Sequence, residues 1–429
     1  MYRAGPGSPC ASGDNSPGAS RIREEGKTMD VLVTCPSARD RKALAQLPGY
    51  TFHLLDAQLN ARTPSPECDI LDYVERCRHY MRTHHIDAVY YSRDLADIVA
   101  AALCEEFGFP GPSVESVFLC LHKYYSRRSE PAPIRCQAID LFDDNPPVTE
   151  YPCYVKPPWL NLGILGFKLE SPGDLQRALA VARREYHLWS PLYYPFFRRY
   201  IDLQKYPLAV RDIMLVEEFV DGKQVTVEGW VYQGQVYLWA ITDTNTYPGT
   251  RVIDNFSLPS QQPTHIQEQL ARQATAAIHN IGLNNGFFNI EFWCHADGVT
   301  LTEINGRAAT CFYNLYRNCL GACIYEAGLT LACGRNPVLP PALNGTVGAQ
   351  CNFVTFGTDR AENLLDFDRA RAIPQLSLYV SEGDWVKPVS EFGFVLAQID
   401  LFGRSYAEIK EEVDRLRRSL LKQPETSPW

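Results

Sequence analysis

The sequence predicts a mixed α/β protein built from several consecutive units, and three observations carry this prediction. The chain has 429 residues, which at roughly 150 residues per domain is enough for two or three packed cores. Strand-like apolar runs such as 88–91 alternate with amphipathic helical segments such as 94–107, as in open parallel sheets. Further along, residues 213–242 are rich in β-branched and aromatic residues with a turn signal between two strands.

The composition is that of a globular protein and narrows the classes of partner. Charged residues make up 21% of the chain and the hydrophobic set 45%, which rules out disorder throughout. Lys and Arg number 41 against 50 Asp and Glu, a net charge of −9, which argues against nucleic-acid binding by bulk electrostatics. Since no stretch approaches the ~20 apolar residues of a spanning helix, we expect no membrane partner either. The 14 cysteines are scattered and form no C-x-x-C pair, so the sequence indicates neither a zinc ribbon nor a dense disulfide framework. We therefore expect a reducing, cytoplasmic location.

Changes of pattern divide the chain into five segments. Residues 1–28 are rich in Gly, Pro and Ser and lack an apolar core, so we predict a disordered N-terminal segment there. The other predicted segments are an open α/β unit over 29–113, a second α/β piece over 114–210, a strand-rich piece over 211–340 and a C-terminal extension over 341–429.

A phosphate-binding motif is imitated in the first segment. Glu25-Gly26-Lys27-Thr28 resembles the end of a P-loop, but Arg21 stands where the first glycine of that motif belongs. We therefore exclude a P-loop.

The most informative stretch is a predicted hairpin over 287–307, with Asp297-Gly298 as its turn signal. A three-residue loop with a left-handed Gly298 would place Glu291 directly opposite Glu303, with Asn305 next on the same face. A strict two-residue loop would put the two glutamates on opposite faces. Facing carboxylates repel unless a cation lies between them, and an all-oxygen donor set selects Mg²⁺ or Mn²⁺. Taken alone, the pattern fits a solvated hairpin face equally well.

Two further features lie upstream. Glu217-Glu218 ends a predicted strand ahead of an Asp-Gly turn, where carboxylates and exposed backbone can hydrogen-bond an adenine and a ribose. Lys156 ends another strand beside a glycine-containing loop, which suits phosphate, and Lys123 is a second candidate cation. Read singly, the acidic pair fits a surface hairpin and either lysine fits a surface residue.

Taken in order, the strand-end lysine, the Glu-Glu-Phe-Val segment and the Glu…Glu-x-Asn-x-Arg hairpin resemble the ATP-grasp superfamily of carboxylate–amine ligases. The resemblance runs from about Met29 to Leu420, and its organisation is closest to the L-amino-acid ligase branch. It implies an ATP-grasp fold in which an N-terminal open α/β domain precedes two α+β subdomains that sandwich ATP. A small C-terminal α+β extension follows them.

The resemblance also implies roles for the residues that match the family's motifs. Glu291, Glu303 and Asn305 would hold magnesium ions on the β- and γ-phosphates of ATP. Lys123 and Lys156 would touch the phosphates, Lys156 with a catalytic part.

The nucleotide base and ribose have their own implied contacts. Glu217 falls where the family binds the adenine amino group, with Glu218 beside it, and backbone near Phe219 and Val220 would bracket the ring. The chain departs from the family at Gln224, which stands where many members place a ribose-binding acid.

The resemblance assigns catalysis to Arg307, which matches the arginine that orients the carboxylate substrate and the transferred phosphate. A guanidinium fork grips a planar carboxylate or phosphate at two points. The loop 159–166 is bulkier than the Gly/Ser-rich phosphate cover usual in the family, which leaves open whether it acts as a lid.

These roles imply an ATP-dependent ligase that forms an amide through an acyl phosphate. The expected cofactors are ATP and Mg²⁺ or Mn²⁺, and the expected partners are a small carboxylate and an amine, amino acids first among them. Two alternatives stay open: a ligase that activates bicarbonate or a purine-pathway substrate, and a non-catalytic nucleotide-binding regulator. A homodimer through the first domain is common in such families, and the sequence does not decide it.

Overall fold

The computed structural model describes residues 28–57, 69–161, 163–296, 298–338, 340, 343–388 and 393–428. The predicted N-terminal segment and the P-loop imitation, apart from Thr28, lie outside the described residues. No helix in the described part of the chain is long and apolar enough to cross a membrane.

The first unit is a three-stranded parallel sheet with strand order β2-β1-β3. Its elements are β1 (Met29–Thr34), α1 (Ala38–Leu44), β2 (Tyr50–Leu55), α2 (Ile70–Thr83), β3 (Ala88–Tyr90) and α3 (Ala96–Phe107). The central strand is buried at every position from Val31 to Thr34, as expected of a parallel strand with both faces covered. The structure confirms the predicted strand at β3, whereas the helix predicted from residue 94 begins at Ala96.

The second unit is a four-stranded antiparallel sheet of order β4-β7-β5-β6. Its elements are α4 (Val114–Leu121), α5 (Lys123–Ser129), β4 (Cys136–Asp140), β5 (Cys153–Lys156), β6 (Phe167–Leu169), α6 (Pro172–Glu185), α7 (Ser190–Tyr200) and β7 (Ile213–Glu218). The side chain of Ser171 caps α6 by accepting from the Asp174 amide, which fixes the start of that helix.

The third unit is an eight-stranded sheet of order β12-β11-β8-β9-β10-β13-β17-β15. Up to the end of the predicted strand-rich piece, its elements are β8 (Lys223–Tyr232), β9 (Gln235–Thr246), β10 (Ile253–Leu258), α8 (Thr264–Ile281), β11 (Gly286–His295), β12 (Gly298–Asn305), α9 (Tyr313–Leu315) and α10 (Ile324–Ala332). A π-helical turn over Tyr316–Leu320 follows α9. Helix α8 ends at Gly282, whose φ of +74° is the left-handed cap that the sequence predicts.

The C-terminal segment completes the same sheet. Its elements are β13 (Val347–Thr355), β14 (Asp359–Arg360), α11 (Ala361–Leu364), α12 (Phe367–Arg371), β15 (Leu376–Leu378), β16 (Trp385–Val386), β17 (Phe394–Gly403) and α13 (Tyr406–Leu420). Strand β13 pairs with β10 on one side and β17 on the other. The predicted extension therefore shares its sheet and part of its hydrogen bonding with the segment before it.

The hairpin of β11 and β12 pairs the two glutamates as predicted, but its loop differs from the predicted one. The register pairs His295 with Gly298, so two residues connect the strands instead of the predicted three. The turn residue Asp297 lies outside the described residues, and Gly298 has a φ of +152°, away from the predicted left-handed helical region. A β-bulge at Thr302 adds the missing residue, and Glu291 pairs with Glu303. The conclusion about the glutamates is confirmed, and the loop that was to produce it is wrong.

Gly229 allows the close approach of strands β8, β9 and β11. A Cβ atom at this position would lie 2.3 Å from the Tyr237 carbonyl oxygen and 2.5 Å from the Phe288 ring. Gly229→Ala should therefore lower the free energy of unfolding by about 1–3 kcal/mol through overpacking, measured by urea denaturation. Gly173→Ala is the matched control, because its nearest neighbour lies 3.6 Å away. Equal stability of the two variants would contradict the account.

Candidate active site

One face of the eight-stranded sheet is polar along β8, β11 and β12. The register pairs Glu291 with both Glu303 and Thr226, and it pairs Asn289 with both Asn305 and Glu228. Because cross-strand partners share a face, these six side chains form one continuous polar surface, which we call the carboxylate floor. The opposite face of the same strands is apolar and is covered by α8.

The two facing carboxylates dominate the electrostatics of this floor. Burial, together with the charge of Glu303, raises the pKa of Glu291 to about 7. Gln224, which the sequence predicts as a ribose contact, donates its amide to Glu291 Oε2 at 2.7 Å. The predicted metal ligands Glu291, Glu303 and Asn305 therefore share one face, and Gln224 joins them.

Lys123 is the cation that faces the carboxylate pair. Its Nζ lies 3.4 Å from Glu303 Oε1, and it donates to the Leu160 carbonyl and to Asn161 Oδ1, each at 2.8 Å. The side chain is only 2% exposed, and burial lowers its pKa although Glu303 opposes that effect. With three acceptors around its three N–H groups, this lysine ties the start of the loop after β5 to the carboxylate floor.

A second buried ion network lies beside the first. Lys156 Nζ lies 2.7 Å from Glu217 Oε2, and Arg127 Nε donates to Glu217 Oε1 at 2.9 Å. Arg127 also donates to Glu130 at 2.6 Å and to the carbonyl of the bulge residue Thr302. Burial alone would raise the pKa of Glu217, but Arg127 and Lys156 hold it below its usual range.

Sequence reasoning missed Arg127, which links α5, β7 and the hairpin bulge. Its signal was available, because Arg127 follows Lys123 by four residues and so shares a face of α5. The predicted adenine contact Glu217 lies inside this network, where both of its oxygens meet cations.

The predicted base-binding segment is the linker between two sheets. Glu218 ends β7 and pairs with Arg135 at 2.8 Å on the outer side, away from the carboxylate floor. The half-buried Phe219 and Val220 follow. Two cations contact the Phe219 ring, with Lys168 Nζ at 4.4 Å and the Arg251 guanidinium at 4.3 Å from its centroid.

Arg307 meets a carboxylate that sequence reasoning did not select. Its Nε lies 2.5 Å from Asp94 Oδ1, and its Nη2 donates to Asp94 Oδ2 at 3.3 Å. Burial would raise the pKa of Asp94, but Arg307 holds it below its usual range. Asp94 lies just beyond the carboxyl end of β3, ahead of Leu95 with its left-handed φ of +69°. Loops at the carboxyl ends of parallel strands commonly line ligand sites, which is the signal that would have found it.

A chain of hydrogen bonds orients Asn305. Its Nδ2 donates to Asn289 Oδ1 at 3.2 Å, and Asn289 Nδ2 donates to Glu228 Oε1 at 2.8 Å. Thr242 donates to the other oxygen of Glu228 at 3.0 Å. Because Asn289 donates to Glu228 with its NH₂ group, its amide oxygen is the atom that accepts from Asn305. The Asn305 amide oxygen takes no part in this chain of hydrogen bonds and is available as a ligand.

The bulky loop after β5 owes its size to core packing. Trp159 is 0% exposed and contacts the rings of Tyr186, Tyr193 and Tyr194 at centroid distances of 5.2, 4.7 and 5.6 Å. Leu162 lies outside the described residues. The described residues at the start of the loop are therefore anchored in the second unit.

Comparison with known families decides the nature of the central region. Residues 149–313 match the family model of the ATP-grasp domain. The chain contains an ATP-grasp domain. The matched residues include Lys156, Glu217 and the hairpin, whereas Lys123 and Arg127 lie ahead of them in the chain. The domain implies ATP as the nucleotide. No protein in a set of curated sequences matches the chain significantly.

Solved structures show that the likeness extends beyond the ATP-grasp domain. An L-amino acid ligase from Bacillus licheniformis is 14% identical, with a TM-score of 0.70 over 92% of this chain and 98% of that one. A phosphoribosylglycinamide synthetase from Anaerococcus prevotii is 17% identical, with a TM-score of 0.62 over 92% and 99%. An N5-carboxyaminoimidazole synthase from Aspergillus clavatus is 14% identical, with a TM-score of 0.62 over 91% and 98%. The predicted ATP-grasp fold is confirmed.

Arg127 should contribute strongly to the stability of the folded chain. Arg127→Met leaves the buried Glu217 and Glu130 short of a partner, so we expect a loss of about 3–5 kcal/mol in the free energy of unfolding. Arg128→Met is the matched control, because that guanidinium stacks on Tyr124 at the surface and should cost about 1 kcal/mol or less. Chemical denaturation measures both, and similar losses would refute the network.

Glu228 should leave a signature in the pH dependence of stability. Burial raises the pKa of Glu228 to about 7, whereas an unfolded glutamate titrates near ~4.3. The folded state thus holds a proton that the unfolded state releases, and stability falls as pH rises between these values. Glu228→Gln should flatten that slope by up to about 1.4 kcal/mol per pH unit, as measured by urea denaturation of metal-free protein. The exposed Glu326→Gln is the control, and an unchanged slope in Glu228→Gln would contradict the shift.

Proposed function

We propose that this chain is an ATP-dependent ligase that activates a carboxylate as an acyl phosphate and joins it to an amine. The observation that carries the proposal is the pairing of Glu291 with Glu303 across the hairpin, with Lys123 facing the pair. Arg307 lies just beyond the same hairpin. A nucleotide site that contains acidic metal ligands, phosphate-binding cations and a guanidinium is suited to phosphoryl transfer.

The donor set fits magnesium. Glu291, Glu303 and the oriented amide oxygen of Asn305 are hard oxygen ligands, which Mg²⁺ prefers. Burial and like charge together raise the pKa of Glu291, and a divalent cation would relieve that repulsion. When bound, Mg²⁺ neutralises charge on the phosphate oxygens. Manganese would satisfy the same donors.

The nucleotide would lie between the two antiparallel sheets. The linker of Phe219 and Val220 offers backbone groups for adenine, and Gln224 is a candidate ribose contact through its amide. Lys123 and Lys156 would meet the phosphates as point charges. To do so, Lys156 would share its ammonium between a phosphate and Glu217, its present partner at 2.7 Å.

The reaction then needs positioning and charge compensation from the protein. A substrate carboxylate oxygen attacks the γ-phosphorus while the bond to ADP breaks, which gives an acyl phosphate. An amine nitrogen next attacks the acyl carbon, loses a proton, and phosphate leaves with the bonding electrons. The Arg307 fork would hold the carboxylate and the transferred group. No nucleophilic side chain is required.

The pairing of Arg307 with Asp94 favours an amino acid as the carboxylate substrate. A zwitterion carries a carboxylate and an ammonium on one carbon, and the site presents a guanidinium and a carboxylate in contact. The structural likeness to an L-amino acid ligase over 92% of this chain supports the same choice. The likeness to a phosphoribosylglycinamide synthetase keeps purine-pathway substrates, and bicarbonate, as the alternative within this fold.

The test is ADP release from ATP and Mg²⁺ across single amino acids, pairs of amino acids and bicarbonate, with products identified by mass spectrometry. ADP that appears only with a particular acid and amine, together with their amide, is the expected result. ADP with bicarbonate alone would favour the alternative. Tight ATP binding with no substrate-dependent ADP would overturn the ligase in favour of a nucleotide-binding regulator.

Glu303→Ala should lower the rates of ADP release and amide formation by orders of magnitude while the fold survives. The reason is that the variant removes one of two facing carboxylates and the partner of Lys123. Glu326→Ala, on the exposed side of α10, is the matched control and should retain full activity. Retained ligation in Glu303→Ala would remove the metal-site hypothesis.

Lys156→Ala should weaken ATP affinity, because it removes a cation from the phosphate side of the site. Isothermal titration with a non-hydrolysable ATP analogue measures the effect. Lys205→Ala removes an exposed lysine that pairs with Glu115, and its affinity should match the wild type. Identical titrations for Lys156→Ala and wild type would contradict the phosphate role.

A further inference from the structure

A cluster of carboxylates and imidazoles lies at the amino ends of the strands in the three-stranded parallel sheet. Asp94 lies at the carboxyl ends of the same strands. Parallel pairing of Val31 with Ala88 brings Asp30 and Asp87, the residues just before them, side by side. The Asp87 amide donates to the Asp30 carbonyl at 2.7 Å, and the Asp30 amide donates to Asp87 Oδ2 at 3.0 Å. Backbone hydrogen bonds therefore hold two carboxylates together.

His85 brings a nitrogen to the same point. Its Nε2 lies 3.0 Å from Asp87 Oδ1. One candidate ligand atom from each of Asp30, His85 and Asp87 lies within 4.8 Å of the other two. Ligand atoms that bind one Zn²⁺ at about 2.0–2.2 Å lie somewhat closer than this, so a small side-chain movement would close the site.

A second histidine fixes the orientation of Asp30. His53 Nε2 lies 2.8 Å from Asp30 Oδ1, and its Nδ1 lies 2.8 Å from the Tyr80 hydroxyl. The Tyr80 ring in turn stacks on His84 with centroids 3.8 Å apart. Partners of this kind, one step outside the ligands, orient the ligands of metal sites.

We propose that Asp30, His85 and Asp87 bind a divalent transition metal such as Zn²⁺, with His53 orienting Asp30. Two adjacent carboxylates repel each other, and a divalent cation between them removes that cost. A set of two oxygens and one imidazole nitrogen favours Zn²⁺, Co²⁺ or a similar ion over Mg²⁺ and Ca²⁺. The oxygen-only set at the nucleotide site has the opposite preference, so the chain would hold two metal sites of different chemistry. This inference does not depend on the proposed ligase activity.

The metal would connect β1 to β3 at their amino ends. With three protein ligands it keeps a coordination position for water. Because the cluster and Asp94 lie at opposite ends of the parallel strands, we assign the metal a role in stability rather than in the ligase reaction.

The test uses chelator-stripped, full-length protein in excess Mg²⁺, with Zn²⁺ added in calorimetric and thermal-unfolding titrations. We expect one Zn²⁺ per chain and a rise in Tm. His85→Ala should lose both effects, and His53→Gln should weaken Zn²⁺ binding by about 10–100-fold. His85 is 57% exposed, so its removal should leave the fold intact, with circular dichroism as the check.

Two controls make the outcome decisive. His79→Ala removes an exposed histidine from the neighbouring helix α2 and should bind Zn²⁺ like the wild type. Glu303→Ala should also retain Zn²⁺ binding, which separates this site from the nucleotide site. Equal Zn²⁺ affinity in His85→Ala and wild type, or no Zn²⁺ binding by the wild type, would overturn the proposal.

Discussion

The pairing of Glu291 with Glu303 is the constraint on which the rest of the site depends. Two carboxylates held opposite each other on an antiparallel pair are unfavourable by themselves, and the chain compensates with charge and hydrogen bonds from outside the hairpin. Lys123 faces Glu303 at 3.4 Å, and Gln224 donates to Glu291 at 2.7 Å. The bulge at Thr302 creates the pairing, and Arg127 binds the carbonyl of that bulge residue. The bulge in the backbone therefore enforces the unfavourable contact between the two carboxylates.

The site is assembled from segments that are distant in sequence. The hairpin supplies most of the carboxylate floor, α5 supplies Lys123 and Arg127, β5 supplies Lys156, and the first unit supplies Asp94. Arg307 and Asp94 are 213 positions apart, yet they form a two-point ion pair. Such long-range contacts explain why the three units must be packed together before the site exists.

Local patterns predicted most of this fold, and they failed where packing decides. Helical spacing with a terminal glycine correctly gave α8, and the motif order gave the ATP-grasp fold. The hairpin face was predicted for the wrong reason, because a bulge at an ordinary threonine leaves no signal in a single sequence. Asp94 and Arg127 were missed because their partners are distant in sequence: Arg307 for Asp94, and Glu217 and Thr302 for Arg127. The roles of the nucleotide and metal ligands stay predictions, although the structure brings Glu291, Glu303, Asn305 and Gln224 together.

The cations assigned to substrate each have a protein carboxylate as partner, and this has a consequence for the proposed reaction. Lys123 meets Glu303, Lys156 meets Glu217, and Arg307 meets Asp94. Burying any of these charges without a partner would cost several kcal/mol, and the pairing avoids that cost. In the proposed reaction, phosphates and a substrate carboxylate would contact the three cations. Magnesium and a substrate ammonium would compensate Glu303 and Asp94, and Arg127 would remain paired with Glu217. A ligand that supplies charge of only one sign would leave a buried carboxylate uncompensated. The site would therefore select for metal-bound nucleotide and for a zwitterion together, which is a physical basis for specificity that no single motif encodes.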